Sequence, residues 1–141
     1  MKKLFKTSMP VLFLLSLVFT SCDKEEVKNP APANPNNAVF WINYKWTNAA
    51  GVAKSGSGDI KDGEKGKAYK LDPYLHGAGI CNNGQWSYKV EFGNKDYIAS
   101  QDPKTGEVTF VPGSTGTYTI TITYTCPDGT KYSATITITV S

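Results

Sequence analysis

The chain has 141 residues, with 15 Lys+Arg against 12 Asp+Glu, a formal net charge of +3 and one histidine. Lys2, Lys3 and Lys6 precede every acidic residue, so the chain beyond them is formally neutral. With no basic surplus there and no arginine anywhere, a nucleic-acid partner and guanidinium clamps on phosphate are both disfavoured.

The three early lysines open an export pattern. Met9 to Phe19 is an apolar run broken only by Pro10 and Ser16. It is too short for a bilayer-spanning helix, which needs about 20 apolar residues. A charged start, a short apolar core and small residues before a cut describe a secretory signal over residues 1–21. Phe19-Thr20-Ser21-Cys22 resembles the lipobox of bacterial lipoproteins, in which the signal is cut before the cysteine and the cysteine carries the lipid. The resemblance implies lipidation at Cys22 and a membrane partner through the anchor. Phe19 and Ser21 stand where that family usually has Leu and Gly or Ala. The acidic run Asp23-Lys24-Glu25-Glu26 is similar to the surface-export signal of Bacteroidota lipoproteins, implying an outer-membrane, cell-surface location.

Residues 22–38 are charged and then rich in Pro and Asn, with Pro30, Pro32 and Pro35 favouring extended geometry. They read as an unfolded tether with a reach on the order of 50 Å. Residues 39–141 hold the aromatic and β-branched content. Phe40, Ile42, Tyr44 and Trp46 alternate with Trp41, Asn43 and Lys45, which predicts a first strand. Ala68 to Leu71, Gln85 to Phe92, Tyr97 to Ala99 and Glu107 to Val111 predict further strands. Gly51, Gly56, Gly58, Asp62-Gly63, Asn82-Asn83-Gly84, Gly93-Asn94, Lys104-Thr105-Gly106 and Pro112-Gly113 are turn signals. Tyr118 to Cys126 and Tyr132 to Val140 alternate apolar residues with Thr or Ser across an Asp128-Gly129 turn, a β-hairpin pattern. Several short strands without a helical period predict an all-β fold, an antiparallel β-sandwich.

The stretch from Ser100-Gln-Asp-Pro-Lys-Thr-Gly106 through Gly116-Thr-Tyr118-Thr-Ile-Thr-Ile resembles bacterial Ig-like modules of the PKD and cadherin-like putative-Ig groups. The resemblance covers roughly residues 97–141. It implies an Ig-like sandwich with Tyr118 packed at the start of the penultimate strand. It also implies spacer, adhesion or carbohydrate-binding roles without catalysis.

Cys81 and Cys126 form an expected disulfide in an exported domain. A zinc site is disfavoured by a single histidine and the lack of a Cys-x-x-Cys pair, and no cofactor is implied. His76 has no Gly-x-Ser-x-Gly beside it. Asp59, Asp62 and Glu64 alternate with lysines, which fits a solvated hairpin or loop better than a glycosidase pair or a calcium loop. Trp46 and Trp86 fall on core phases, whereas Trp41 falls on the opposite phase and is a candidate contact residue. With Tyr74, His76, Asn82 and Asn83 it makes a candidate ligand-binding set at a loop end facing outward. The expected function is non-enzymatic: a surface-anchored lipoprotein presenting an Ig-like domain for adhesion or envelope-complex assembly. Accessory glycan capture is the alternative.

Overall fold

A computed structural model of the chain describes residues 34–91 and 96–141. The expected signal, Cys22, the first part of the tether, Phe92 and the Gly93-Asn94 turn lie outside the described residues. The described chain is all-β apart from a 3-10 turn at Pro35–Asn37. Its strands are β1 (Val39–Thr47), β2 (Ala53–Ser57), β3 (Ile60–Gly63), β4 (Tyr69–His76), β5 (Gln85–Glu91), β6 (Tyr97–Gln101), β7 (Val108–Pro112), β8 (Gly116–Thr125) and β9 (Lys131–Val140). One sheet has the order β2-β1-β4-β7-β6 and the other β3-β9-β8-β5. The β3–β9 pair is parallel, and the other pairs are antiparallel. The two sheets pack as an Ig-like β-sandwich.

The alternation predicted in the last two strands decides which face is core. Tyr118, Ile120 and Ile122 on β8 and Ile136, Ile138 and Val140 on β9 are buried, and the Thr residues between them face out. They meet Ile42, Trp46, Tyr69, Leu71, Val108 and Phe110 of the opposite sheet. Each fully buried aliphatic side chain contributes about 1.5–3 kcal/mol relative to exposure. The Tyr118 hydroxyl lies 2.9 Å from the Ser114 carbonyl and 3.1 Å from that of Asp96. A tyrosine at the start of this strand, bonded back to the preceding corner, is a hallmark of Ig-like sandwiches.

The β8–β9 connection is set by its residues. Gly129 N–H donates to the Cys126 carbonyl (2.9 Å) and Cys126 N–H to that of Thr130 (2.8 Å). Pro127 and Asp128 therefore occupy the turn, and Gly129 takes the positive φ of 88°. Thr130 N–H donates to the Asp128 carboxylate, and these bonds hold that carboxyl below its ordinary pKa.

Several boundaries differ from the sequence reading. Ala53–Ser57 and Ile60–Gly63, read as turns and a solvated hairpin or loop, are strands. Neither alternates, because both are edges anchored by few side chains. Ile60 is buried, and at Gly63 a Cβ would lie 2.8 Å from the Thr139 carbonyl oxygen. The short strand expected at Ala68 to Leu71 runs on to His76, so Tyr74 and His76 are strand residues rather than loop residues. Pro73 hid this. It is accommodated because β4 pairs with β7 only over Tyr69–Leu71, leaving one side of the strand unpaired beyond that point. Residues 34–38, assigned to the tether, pack on the sandwich. Asn36 and Asn37 adopt positive φ (57° and 54°), which asparagine tolerates. Ala38 is buried, and the Asn34 side chain accepts the Ser133 N–H (2.8 Å).

Candidate functional site

β1 starts at the end where β4 finishes, with Val39 opposite His76, Trp41 opposite Tyr74 and Asn43 opposite Asp72. Alternation sends Ile42 and Trp46 into the core and leaves Val39 and Trp41 exposed on the outer face of the five-stranded sheet. Trp41 is 40% exposed and Tyr74 43%. Their rings stack at 4.2 Å between centroids and 21° between planes, and His76 follows Tyr74 at 6.3 Å. Trp41 Nε1–H donates to Asn43 Oδ1 at 3.2 Å, fixing the indole. A cross-strand aromatic pair contributes roughly 0.2–1 kcal/mol, far less than burial of either ring would. This ordered but exposed pair is the kind of rigid anchor that protein contacts use.

The loop after β4 is fixed by the disulfide expected from the sequence. Cys81 and Cys126 are joined with a Cα–Cα distance of 5.9 Å. Beside them the Tyr124 hydroxyl donates to the Cys81 carbonyl (3.0 Å) and accepts from Gly84 N–H (2.8 Å). Gly84 allows this approach, since a Cβ there would sit 2.5 Å from Tyr124 Cζ. Trp86 packs against Tyr124 at 4.7 Å between ring centroids, with the rings tilted by 52°. It is partly buried, as its phase predicts.

Of the five candidate ligand residues, the structure brings Trp41, Tyr74 and His76 into one row. Asn82 and Asn83 are exposed but belong to a different surface. Asn83 lines a depression of about 220 Å³ with Gln85, Thr125, Cys126 and Pro127, and none of the three ring residues lines it. Two members of the row escaped the sequence reading. Val39 preceded the expected strand, and Asn43 gave no signal until the register placed it beside the indole. The orientation also changes. Ala38 leads into β1 beside His76, so the chain enters the sandwich at the loop end that was expected to face outward.

The acids of residues 59–64 serve separate structural partners. Asp59 accepts the Thr137 N–H, Asp62 pairs with Lys54 at 2.6 Å, and Glu64 accepts the Ala49 N–H. Bonding to Lys54 holds the Asp62 carboxyl below its usual range and raises the lysine. Among the described residues, no group of three or more His, Cys, Asp or Glu is placed to hold a metal ion.

No known protein family matches the chain, and no curated protein matches it either. The fold and the ring row together define an Ig-like β-sandwich with a disulfide and a fixed, exposed aromatic pair at the end where the chain enters.

Proposed function

We propose that the chain is a non-enzymatic, lipid-anchored surface protein of the Bacteroidota type. In this reading Cys22 carries the lipid in the outer membrane, the following residues space the domain from it, and the sandwich binds a partner in adhesion or envelope-complex assembly. The stacked Trp41–Tyr74 pair carries this reading. Its rings face each other rather than lying side by side, so they form a narrow apolar ridge with Val39 beside it. A ridge suits insertion into a groove on a protein, where aromatic anchors dominate binding energy. It suits the flat face of a sugar less well.

The test is co-isolation of envelope proteins with the anchored protein from its native cells. Trp41→Ala combined with Tyr74→Ala is expected to weaken a specific association at least tenfold, about 1.4 kcal/mol, without changing the melting temperature appreciably. Identical co-isolation by parent and variant would exclude the ridge as the contact. Accessory glycan capture is a second reading. It rests on a hollow of about 610 Å³ at the opposite end of the sandwich, lined by Lys45, Lys67 and Lys70 together with Thr47, Asn48 and Ser55.

A further inference from the structure

A hollow on the described surface lies at the far end of β1, away from where the chain enters. It has a volume of about 610 Å³, within the range of about 300–1,000 Å³ usual for ligand sites. Register fixes its shape. Lys70, Lys45 and Ser55 form one row across β4, β1 and β2, because Lys45 is opposite both Lys70 and Ser55. Thr47 and Ala53 form the next row, with Ala68 just before β4. Small side chains thus make a floor between lysines, and Lys67 and Asn48 complete the rim, while Lys54, opposite the buried Trp46, turns its ammonium to Asp62 on the other face of the sheet. Three strands spaced by about 4.8 Å give the trough a span of about 10 Å across the sheet.

Like charges directly opposite on adjacent strands are destabilising, yet Lys45 faces Lys70. Lys54 is paired with Asp62, and Lys70 is 3.9 Å from Glu107. Among the described residues neither Lys45 nor Lys67 forms an ion pair. Asp72 stands one outward position further along β4, towards Tyr74. A hollow with two ammonium groups outside any ion pair, one of them directly opposite Lys70, attracts an anion.

The shape and the remaining lining select which anion. A peptide adding to the β2 edge would pair with that edge, whereas the trough lies over side chains of β4, β1 and β2 and offers an occupant no backbone ladder. A single-stranded nucleic acid needs exposed rings for base stacking. The one ring that borders the trough, Trp46, is only 5% exposed. The hydroxyls of Thr47 and Ser55 and the amide of Asn48 match the hydroxyls of a sugar chain, and single ammonium groups match its isolated carboxylates. We infer that this trough binds a carboxylated polysaccharide, such as a polyuronate. The inference deepens the glycan reading of function and does not depend on the lipid anchor.

Affinity electrophoresis or calorimetry of the full chain in detergent tests it, with polygalacturonate as the probe at low salt. Neutral dextran and single-stranded DNA serve as comparisons. Lys45→Gln combined with Lys67→Gln is expected to weaken polygalacturonate binding at least tenfold while keeping the parent melting temperature. Lys131→Gln, at the other end of the molecule, and Trp41→Ala with Tyr74→Ala are expected to bind as the parent does. Absence of binding, binding unchanged in the lysine variant, or equal binding of dextran or DNA would each overturn the inference. The aromatic ridge would still stand under those outcomes, because its test is read on a different surface.

Discussion

Replacing Cys81 and Cys126 together by alanine is expected to lower stability by about 4 kcal/mol. The 45-residue separation sets that figure in the chain-entropy model of cross-linking. A domain of this size has roughly 5–15 kcal/mol in total, so the loss removes a large fraction of it. The melting temperature is expected to fall by on the order of 20 °C, measured by calorimetry on parent and variant under oxidising conditions. Reducing agent should lower the parent towards the variant and leave the variant unchanged. The bond also holds residues 77–84, together with the packing of Ile80 on Ala38, Tyr124 and Tyr132 and the Tyr124 hydroxyl bonds to Cys81 and Gly84. A loss below about 1 kcal/mol would mean that Tyr124 and the packing of Ile80 suffice to keep that loop in place.

Gly106→Ala is expected to cost about 2–4 kcal/mol, for two separable reasons. Gly106 has φ of 77°, which an alanine adopts only with strain. A Cβ there would also stand 2.4 Å from Trp86 Cδ2, inside contact distance of a ring that cannot move without disturbing Tyr124 and Phe40. Gly129→Ala separates the two effects. It has a comparable φ of 88° but open space around it, so only the backbone cost of about 1 kcal/mol remains. Chemical denaturation of both variants checks the pair. Equal losses would show that the Trp86 contact contributes nothing.

The same glycine shows what was legible beforehand. The Asp102-to-Gly106 segment read as a turn because Asp and Gly have local reasons to be there. Asp102 Oδ1 accepts the Lys104 and Thr105 N–H groups, and Gly106 N–H donates to the Asp102 carbonyl. That the turn also seats Trp86 depends on a contact twenty residues away in sequence, which no local pattern carries. β8 and β9 were legible for a similar reason. They pair over their full length, with one face buried and one wet, so alternation is strict. β2 and β3 were not, because an edge strand is held by one or two anchors and its remaining positions are free to be Gly, Ser or Lys.

The candidate site was half legible. The phase of Trp41 marked it as outward, and the structure finds it outward. Tyr74 and His76 were named as residues of a loop end, yet they stand opposite Trp41 and Val39 because Pro73 sits inside a strand instead of ending one. The lysine trough was hidden by arithmetic: a neutral total conceals a local surplus. Lys45, Lys67 and Lys70 are spread over 26 positions of sequence, and only the pairing of β1 with β4 gathers them. The sandwich thus carries distinct surfaces at its two ends, an aromatic ridge beside the incoming chain and a cationic trough opposite.

The anchored-module reading stands most directly on Cys22. The decisive measurement is the intact mass and N-terminal sequence of the protein taken from the membrane fraction of its native cells. A chain starting at Cys22 and carrying a diacylglyceryl group with an amide-linked acyl chain is expected. Two or more acyl chains hold a protein stably where one does not. A chain with a different N-terminus, or one with an unmodified Cys22 thiol, would contradict the reading.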